Sequence, residues 1–261
     1  MGGADPVTMA AVSRASLVAV LVLVLAATLA MTAACSGAAP PGSELAPAPE
    51  PELAAEAYTI GEGKPTGLLV ALHYASGTPA MWNELVSGWG VPLRVLALQG
   101  PVPHRRGGYT WFPADHEQKD AAGKLADVER VVEKVARSIR TIRAVHPEIT
   151  RVAVTGFSYG GDLAWLLAIR HPELVDAAVP MGSRLLGDPA GAGPARVPVR
   201  VLQGESDAII DARQTAARVE ALRARGVPIE LTVYPGLGHD LSPALIADWR
   251  AYLRDALAAR G

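Results

Sequence analysis

The sequence predicts an α/β fold in which a mostly parallel β-sheet is covered by helices on both faces. Within residues 53–261, short apolar runs alternate with longer amphipathic segments, and this alternation is typical of sheets built from strand–helix–strand units. A region of about 210 residues suits one large domain, since domains average roughly 150 residues. Ligands of such sheets bind beyond the carboxyl ends of the strands, so we expect the chemistry in the residues that follow each strand.

Six apolar runs predict strands, and four longer segments predict helices. The expected strands cover residues 67–74, 93–98, 151–155, 177–180, 198–202 and 229–234. The expected helices cover residues 127–146, 161–170, 212–225 and 243–259. The first of these helices carries apolar residues at every third or fourth position, from Val128 to Ile142. Pro147 and Pro172 lie just past the first two helices, and Gly226 just past the third, where each is expected to end a helix.

The composition excludes several classes of protein. The chain has 24 basic and 26 acidic side chains and a formal net charge of −2, whereas a nucleic-acid-binding domain normally carries a basic stripe. A single cysteine excludes a disulfide framework and any cysteine-rich zinc or iron–sulfur site. The mean hydropathy of +0.21 is high for a soluble protein and raises the question of a membrane segment.

The amino-terminal segment predicts export. Residues 17–34 are an unbroken apolar run that follows Arg14 and ends in small residues directly before Cys35, as in a secretory signal. This stretch resembles a bacterial lipoprotein signal, which implies cleavage between Ala34 and Cys35 and acyl chains on Cys35. The alternatives are an ordinary secretory signal, with a secreted or periplasmic product, and an uncleaved anchor.

The expected organisation of the chain therefore has three parts. Residues 1–34 are the signal peptide, and residues 35–52 are a Pro- and Ala-rich tether that begins at the lipidated Cys35. Residues 53–261 are the catalytic domain. The expected location is the cell envelope, with the domain held at a membrane through its lipid anchor.

The strongest motif is the segment Gly156-Phe157-Ser158-Tyr159-Gly160. It fits the G-x-S-x-G nucleophile elbow, in which a tight turn between a strand and a helix exposes the serine hydroxyl. The pentapeptide alone is a weak signal, but here it follows a predicted strand and opens a predicted helix. We therefore predict that Ser158 is a nucleophile.

A serine nucleophile needs a base and a carboxylate that orients the base. His239 follows the last predicted strand in a glycine-containing loop and is the expected base. Asp207 follows the strand before it and is the favoured carboxylate, with Asp211 and Glu205 as alternatives. The order Ser158, Asp207, His239 is the chain order expected of an α/β-hydrolase.

The oxyanion that forms on attack needs backbone N–H donors. One expected donor is the N–H of Tyr159, which directly follows the nucleophile. The second is expected in the loop after the predicted strand that contains His73.

The chain resembles the phospholipase/carboxylesterase group of α/β-hydrolases, which includes acyl-protein thioesterases. The motifs that carry the resemblance are the loop from Leu72 to Thr78 with Trp82 beyond it, the aromatic segment from Gly107 to Phe112, the elbow from Gly156 to Gly161, and the segments around Asp207 and His239. The resemblance implies an α/β-hydrolase fold without a large cap domain. It also implies Ala75, or alternatively Tyr74, as the second oxyanion donor, and no metal or cofactor.

The expected activity is the hydrolysis of a small carboxylic ester through an acyl-enzyme. Thioesterase and lysophospholipase activities are alternatives, and an inactive hydrolase-fold binding lipoprotein is the non-enzyme alternative. By the resemblance, aromatic side chains line the substrate pocket. The residues expected there are Tyr74, Trp82, Tyr109 and Trp111, with Phe112 beside them.

Overall fold

The computed structural model of the chain describes residues 51–189 and 197–258. The expected signal peptide, Cys35 and all but the last two residues of the expected tether lie outside the described residues. Glu52, the last residue of the expected tether, forms an ion pair with Arg137, and Leu53 directly after it is buried in the core. Helices and strands follow in alternation.

Nine strands and five helices are described. The strands are β1 (Ala55–Ile60), β2 (Gly67–Leu72), β3 (Leu93–Leu98), β4 (Val102–Pro103), β5 (Tyr109–Thr110), β6 (Arg151–Phe157), β7 (Ala177–Met181), β8 (Val199–Gly204) and β9 (Ile229–Tyr234). The helices are α1 (Met81–Val86), α2 (Ala121–Val145), α3 (Tyr159–Arg170), α4 (Ala212–Ala224) and α5 (Pro243–Leu257). A one-turn 3₁₀ helix covers His116–Gln118.

Seven strands form one sheet in the order β1-β3-β2-β6-β7-β8-β9, and β4 and β5 form a small hairpin. Every neighbouring pair in the large sheet is parallel except β1 and β3. The predicted fold class is therefore confirmed. The sequence analysis missed β1, because this edge strand is mostly exposed and lacks the apolar run that marks the buried strands.

Helices cover both faces of the sheet. Leu68, Val70 and Leu72 of β2 belong to one core cluster, which also holds the buried side chains of α2, α3 and α4. Leu69 and Ala71 belong to a second cluster with those of α1 and α5. This alternation arises because successive side chains of a strand point to opposite faces. The carboxyl ends of the parallel strands are left free for the site.

Helix α2 begins six residues before its predicted start. The side chain of Asp120 accepts a hydrogen bond from the N–H of Gly123 at 2.7 Å, which caps the helix and fixes its first turn. Asp127, predicted as the first residue of this helix, therefore lies inside it and is buried.

Within residues 51–189 and 197–258, no helix has the length and apolar character needed to cross a membrane.

Candidate active site

Ser158 occupies the turn between β6 and α3. Its backbone has φ +57° and ψ −119°, a left-handed conformation that is strained for a residue with a side chain. The Ser158 N–H donates to the carbonyl oxygen of Met181 at 2.9 Å, and its own carbonyl oxygen accepts from the N–H of Asp162 at 3.0 Å. The strained turn is therefore held on both sides by the backbone of its neighbours.

Glycines on either side of Ser158 make this turn possible. A Cβ on Gly156 would clash with the carbonyl group of Gly160, and a Cβ on Gly160 would clash with the carbonyl oxygen of Leu72. The close approach of strand and helix thus requires glycine at both positions. The local geometry is that of the predicted elbow.

Asp207 and His239 form a hydrogen-bonded pair. The Nδ1 atom of His239 lies 2.7 Å from Oδ2 of Asp207. Asp207 follows β8 and His239 follows β9, so neighbouring strands bring the two side chains to the same edge of the sheet. Because a carboxylate only accepts, Nδ1 carries the proton, and Nε2 is left for another partner.

Backbone groups fix the carboxylate of Asp207. Its Oδ1 accepts from the N–H groups of Ile209 and Ile210, each at 2.8 Å, and Nε2 of Gln203 donates to Oδ2 at 3.0 Å. Burial alone would raise the pKa of Asp207, but hydrogen bonds from His239, Ile210 and Ile209 outweigh it and hold this pKa below its usual value. Asp207 is therefore an anion beside the imidazole.

The two alternative carboxylates have other partners. Asp211 caps α4 by accepting from the N–H of Arg213 at 2.7 Å, and Glu205 accepts from the N–H of Gly236 at 3.0 Å. Of the three candidates, Asp207 is the one that His239 contacts.

Phe157 links the elbow to the imidazole. Its ring lies 4.7 Å from the ring of His239, centroid to centroid. Gly182, with φ +50°, leaves room for both rings, since a Cβ there would lie 3.0 Å from Phe157 and 3.1 Å from His239. Among the hydrogen bonds of the described residues, none joins the hydroxyl of Ser158 to His239. Such catalytic contacts often tighten only when substrate binds, so the third contact of a triad stays a prediction.

His73 holds the loop that follows β2. Its side chain is fully buried. Nε2 accepts a hydrogen bond from the N–H of Gly100 at 2.9 Å, and Nδ1 donates one to the carbonyl oxygen of Tyr74 at 2.7 Å. Burial lowers the pKa of His73 to about 4. Nε1 of Trp111 donates to the His73 carbonyl oxygen at 2.7 Å, and the two rings stack. His73 is thus a neutral structural group.

Beyond His73 the loop turns sharply past Ala75. Ser76 has φ +67°, and the N–H of Gly77 donates to the carbonyl oxygen of Tyr74 at 3.0 Å. Ala75 and Tyr159 both line one cavity of about 560 Å³. The two expected oxyanion donors therefore border the same space, although their roles remain a prediction.

That cavity is walled by apolar and polar side chains, most of them from the hairpin β4–β5 and the segment after it. Val102, Phe112 and Pro113 form part of its wall, together with the 3₁₀ helix that contains His116. Phe112 was expected beside the pocket, and it lines the cavity.

The other aromatic residues expected in the pocket lie elsewhere. Trp82 is fully buried on the opposite face of the sheet, 6.0 Å from the ring of Trp249. Trp111 is buried behind the β2 loop, and Tyr109 pairs with Pro103 in the hairpin. Tyr74 is partly exposed, beside the ring of Phe157. None of these four lines the cavity, because the sequence does not reveal which face each ring takes.

A second Asp–His pair, missed by the sequence analysis, lies in the wall of the cavity. Nδ1 of His116 is 2.8 Å from Oδ2 of Asp127, and both side chains are almost fully buried. Lys119 donates to both oxygens of Asp127 at 2.9 Å, and Arg130 contacts Oδ1. Burial would raise the pKa of Asp127, but hydrogen bonds from Lys119 and His116 and the charges of Lys119 and Arg130 keep it lowered. The sequence signal that could have revealed this pair is Asp127 itself, an acidic residue at a position of α2 where the apolar spacing predicts a buried side chain.

The side chain of Tyr159 is tied to its surroundings. Its hydroxyl donates to Oε1 of Glu117 at 2.5 Å, and Nη2 of Arg184 donates to the same oxygen at 2.8 Å. The other arm of Arg184 donates to Oδ2 of the buried Asp162 at 2.8 Å. Burial, and then Glu117, raise the pKa of Tyr159. This network fixes the first turn of α3, which carries the expected oxyanion donor.

In the part of the chain that the structure describes, no group of three or more His, Cys, Asp or Glu side chains is arranged to hold a metal ion.

Comparison with known proteins supports a hydrolase. A sequence model of the dienelactone hydrolase family matches residues 105–243, just over half of the chain. A relative from Salmonella typhimurium, named "Putative carboxymethylenebutenolidase", is 32% identical over 146 residues. That alignment covers 52% of this chain and 50% of the relative, so the chain spans about half the length of this curated relative.

Solved structures share the fold. The esterase PE8 superimposes with a TM-score of 0.69 at 21% identity, over 78% of this chain and 99% of that one. Acyl-protein thioesterase 2 from Zea mays gives a TM-score of 0.58 at 18% identity, over 78% and 100% of the two chains. These likenesses confirm the expected α/β-hydrolase fold, and at such identities they establish the fold alone.

Proposed function

This chain belongs to the dienelactone hydrolase family, and from that premise we propose that it is a serine hydrolase that cleaves carboxylic esters. The observation that carries the proposal is the Asp207–His239 hydrogen bond of 2.7 Å, which lies beside a serine held in a strained strand-to-helix turn. A carboxylate, an imidazole and a serine hydroxyl are the parts that acyl transfer requires.

In the first half of the proposed reaction, Oγ of Ser158 attacks the acyl carbon while its proton passes to Nε2 of His239. Asp207 holds the imidazole in the required tautomer and stabilises the imidazolium. The N–H groups of Tyr159 and Ala75 donate to the oxyanion. When the tetrahedral intermediate collapses, the C–O bond to the alcohol breaks and the leaving oxygen takes the proton from His239.

In the second half, water attacks the acyl-enzyme. His239 accepts a proton from this water, and a second oxyanion forms at the same N–H donors. Collapse releases the carboxylic acid and returns the proton to Oγ of Ser158. No other group is consumed, so the two halves together add one water across the ester bond.

The direct test is hydrolysis of p-nitrophenyl esters of short and medium chain length by the purified domain, residues 36–261. We expect turnover by the wild type and a loss of about 10⁴-fold or more in Ser158→Ala. Equal turnover by the two proteins would refute the role of Ser158. No turnover of any ester, with no labelling by a fluorophosphonate, would favour the inactive binding lipoprotein. Faster turnover of matched thioesters or lysophospholipids would favour those alternatives.

We also propose that the protein is exported and anchored through lipid on Cys35. The support is the sequence alone, in which the apolar run of residues 17–34 ends at small residues directly before Cys35. Radiolabelled fatty acid should enter the wild-type protein and not Cys35→Ala. Equal labelling would contradict lipidation, and release of an unlabelled product would favour an ordinary signal peptide.

A further inference from the structure

Gln203 is a polar side chain at a fully buried position of β8. It is 0% exposed, and the residues before it in the strand, Val201 and Leu202, are apolar and also buried. Burying an amide costs free energy unless hydrogen bonds compensate for the lost contact with water. A glutamine at this position therefore depends on specific partners, which an aliphatic side chain would not need.

Only the amino end of the Gln203 side chain forms hydrogen bonds. Nε2 donates to Oδ2 of Asp207 and to the carbonyl oxygen of Ile210, each at 3.0 Å, and it lies 3.3 Å from the carbonyl oxygen of Gly204. Oε1 has no hydrogen-bond partner among the described residues. The reversed amide would direct Oε1 at three oxygen atoms that only accept. The surroundings therefore determine which way the amide points.

Donors on both oxygens hold the Asp207 carboxylate in one orientation. Oδ2 accepts from Nδ1 of His239 at 2.7 Å and from Nε2 of Gln203 at 3.0 Å, and Oδ1 accepts from the N–H groups of Ile209 and Ile210. Without Gln203, His239 would be the only donor to Oδ2 among the described residues. The position of Oδ2 would then depend on the imidazole that this oxygen is expected to orient.

Gln203 also holds the loop that binds the other carboxylate oxygen. The carbonyl oxygen of Ile210 accepts from Nε2 of Gln203, and the N–H of Ile210 donates to Oδ1 of Asp207. One amide group thus contacts the carboxylate directly and also fixes part of the backbone that binds it. Because this amide is neutral, it adds no positive charge that would disfavour an imidazolium on His239.

We propose that Gln203 is a positioning residue for the ester hydrolysis. It fixes the Asp207 carboxylate so that Oδ2 holds the His239 ring in the orientation that proton transfer requires. The inference rests on the proposed function and adds a residue to its machinery. Since Gln203 is fully buried, it acts through Asp207, in the way that supporting hydrogen bonds keep a catalytic group in its productive geometry.

The test is a double-mutant cycle on the full chain, with hydrolysis of a p-nitrophenyl ester as the readout. The four proteins are the wild type, Gln203→Met, Asp207→Ala and the double variant. Gln203→Met should lower kcat about tenfold in the wild type, as expected for the loss of a hydrogen bond to a charged group, with little change in KM. In the Asp207→Ala background, the same change should cost less than about twofold, because the group that Gln203 positions is gone.

Gln214→Met is the matched control, because Gln214 is an exposed glutamine of α4. It should leave kcat unchanged in both backgrounds. Equal losses from Gln203→Met in both backgrounds would show that Gln203 supports the fold and not Asp207, and would overturn the inference. No loss in either background would also overturn it. In both cases the turnover itself would leave the proposed esterase standing, whereas no turnover by the wild type would refute the esterase and this role with it.

A second measurement depends neither on turnover nor on the folding of Gln203→Met. Nuclear magnetic resonance follows the two Nε2 protons of Gln203 in the wild type and in Asp207→Ala. The proton that bonds Oδ2 of Asp207 should move upfield in Asp207→Ala, and the proton that bonds the Ile210 carbonyl should keep its position. Asp255→Ala, at an exposed aspartate of α5, should move neither proton. Unchanged positions of both protons in Asp207→Ala would contradict the hydrogen bond and overturn the inference.

Discussion

Two Asp–His pairs with nearly the same geometry lie in this protein, and they differ in what surrounds the carboxylate. The Nδ1–Oδ2 distance is 2.7 Å in the Asp207–His239 pair and 2.8 Å in the Asp127–His116 pair. The first pair stands on loops after two strands, and the second joins a 3₁₀ helix to a long helix. The pairing distance alone therefore does not distinguish the proposed catalytic base from a buried structural histidine.

The two pairs differ in the number of positively charged side chains that contact each carboxylate. Asp127 is paired with Lys119 and Arg130, whereas among the described residues no lysine or arginine pairs with Asp207. Backbone N–H groups and an amide hold Asp207 instead. An imidazolium on His239 would thus be the first full positive charge beside the Asp207 carboxylate, as the proposed role of this pair requires.

The largest expected effect comes from removing the proposed base. His239→Ala should lower kcat for a p-nitrophenyl ester by about 10⁴-fold or more, because Ser158 then has no group to take its proton. The measurement is steady-state hydrolysis, with unfolding temperature as a check on folding. His146→Ala, a change at a surface histidine, is the matched control. A loss below tenfold in His239→Ala would assign the base to another residue.

The second largest effect distinguishes the role of Asp207 from that of Asp127. Asp207→Asn should lower kcat by about 10³–10⁴-fold, because the amide favours the wrong tautomer of His239 and cannot stabilise its protonated form. Asp127→Asn acts through the position of His116 and should cost less than about tenfold on the same plain ester. Similar losses in both variants would show that Asp207 and Asp127 do not differ in their importance for hydrolysis.

The sequence indicated the Asp207–His239 pair far better than the Asp127–His116 pair. Ser158, Asp207 and His239 each follow a strand that its apolar run reveals, so the order of the chain was enough to nominate them. His116 can be recognised as part of a pair only once its partner Asp127 is known. The apolar spacing places Asp127 at the start of α2, because the spacing does not reveal the cap at Asp120. The face taken by Trp82 likewise depends on packing against Trp249, which sequence spacing does not encode.

The smallest expected effect concerns stability in acid. The pKa of Asp127 is lower in the folded protein than its usual value, so its ionised form stabilises the fold above about pH 4. This contribution is lost as the pH falls through the lowered pKa. Between pH 6 and pH 3, the unfolding temperature of the wild type should therefore fall more steeply than that of Asp127→Asn. Parallel curves for the two proteins would show that Asp127 contributes nothing to acid stability.

The most direct test of the central claim is covalent labelling of the nucleophile by a fluorophosphonate. We expect one adduct per chain in the wild type, located by peptide mass spectrometry on Ser158. Labelling should be strongly slowed in His239→Ala and Asp207→Asn but much less in Asp127→Asn. An adduct on another residue, or rapid labelling of Ser158 without His239, would contradict the account.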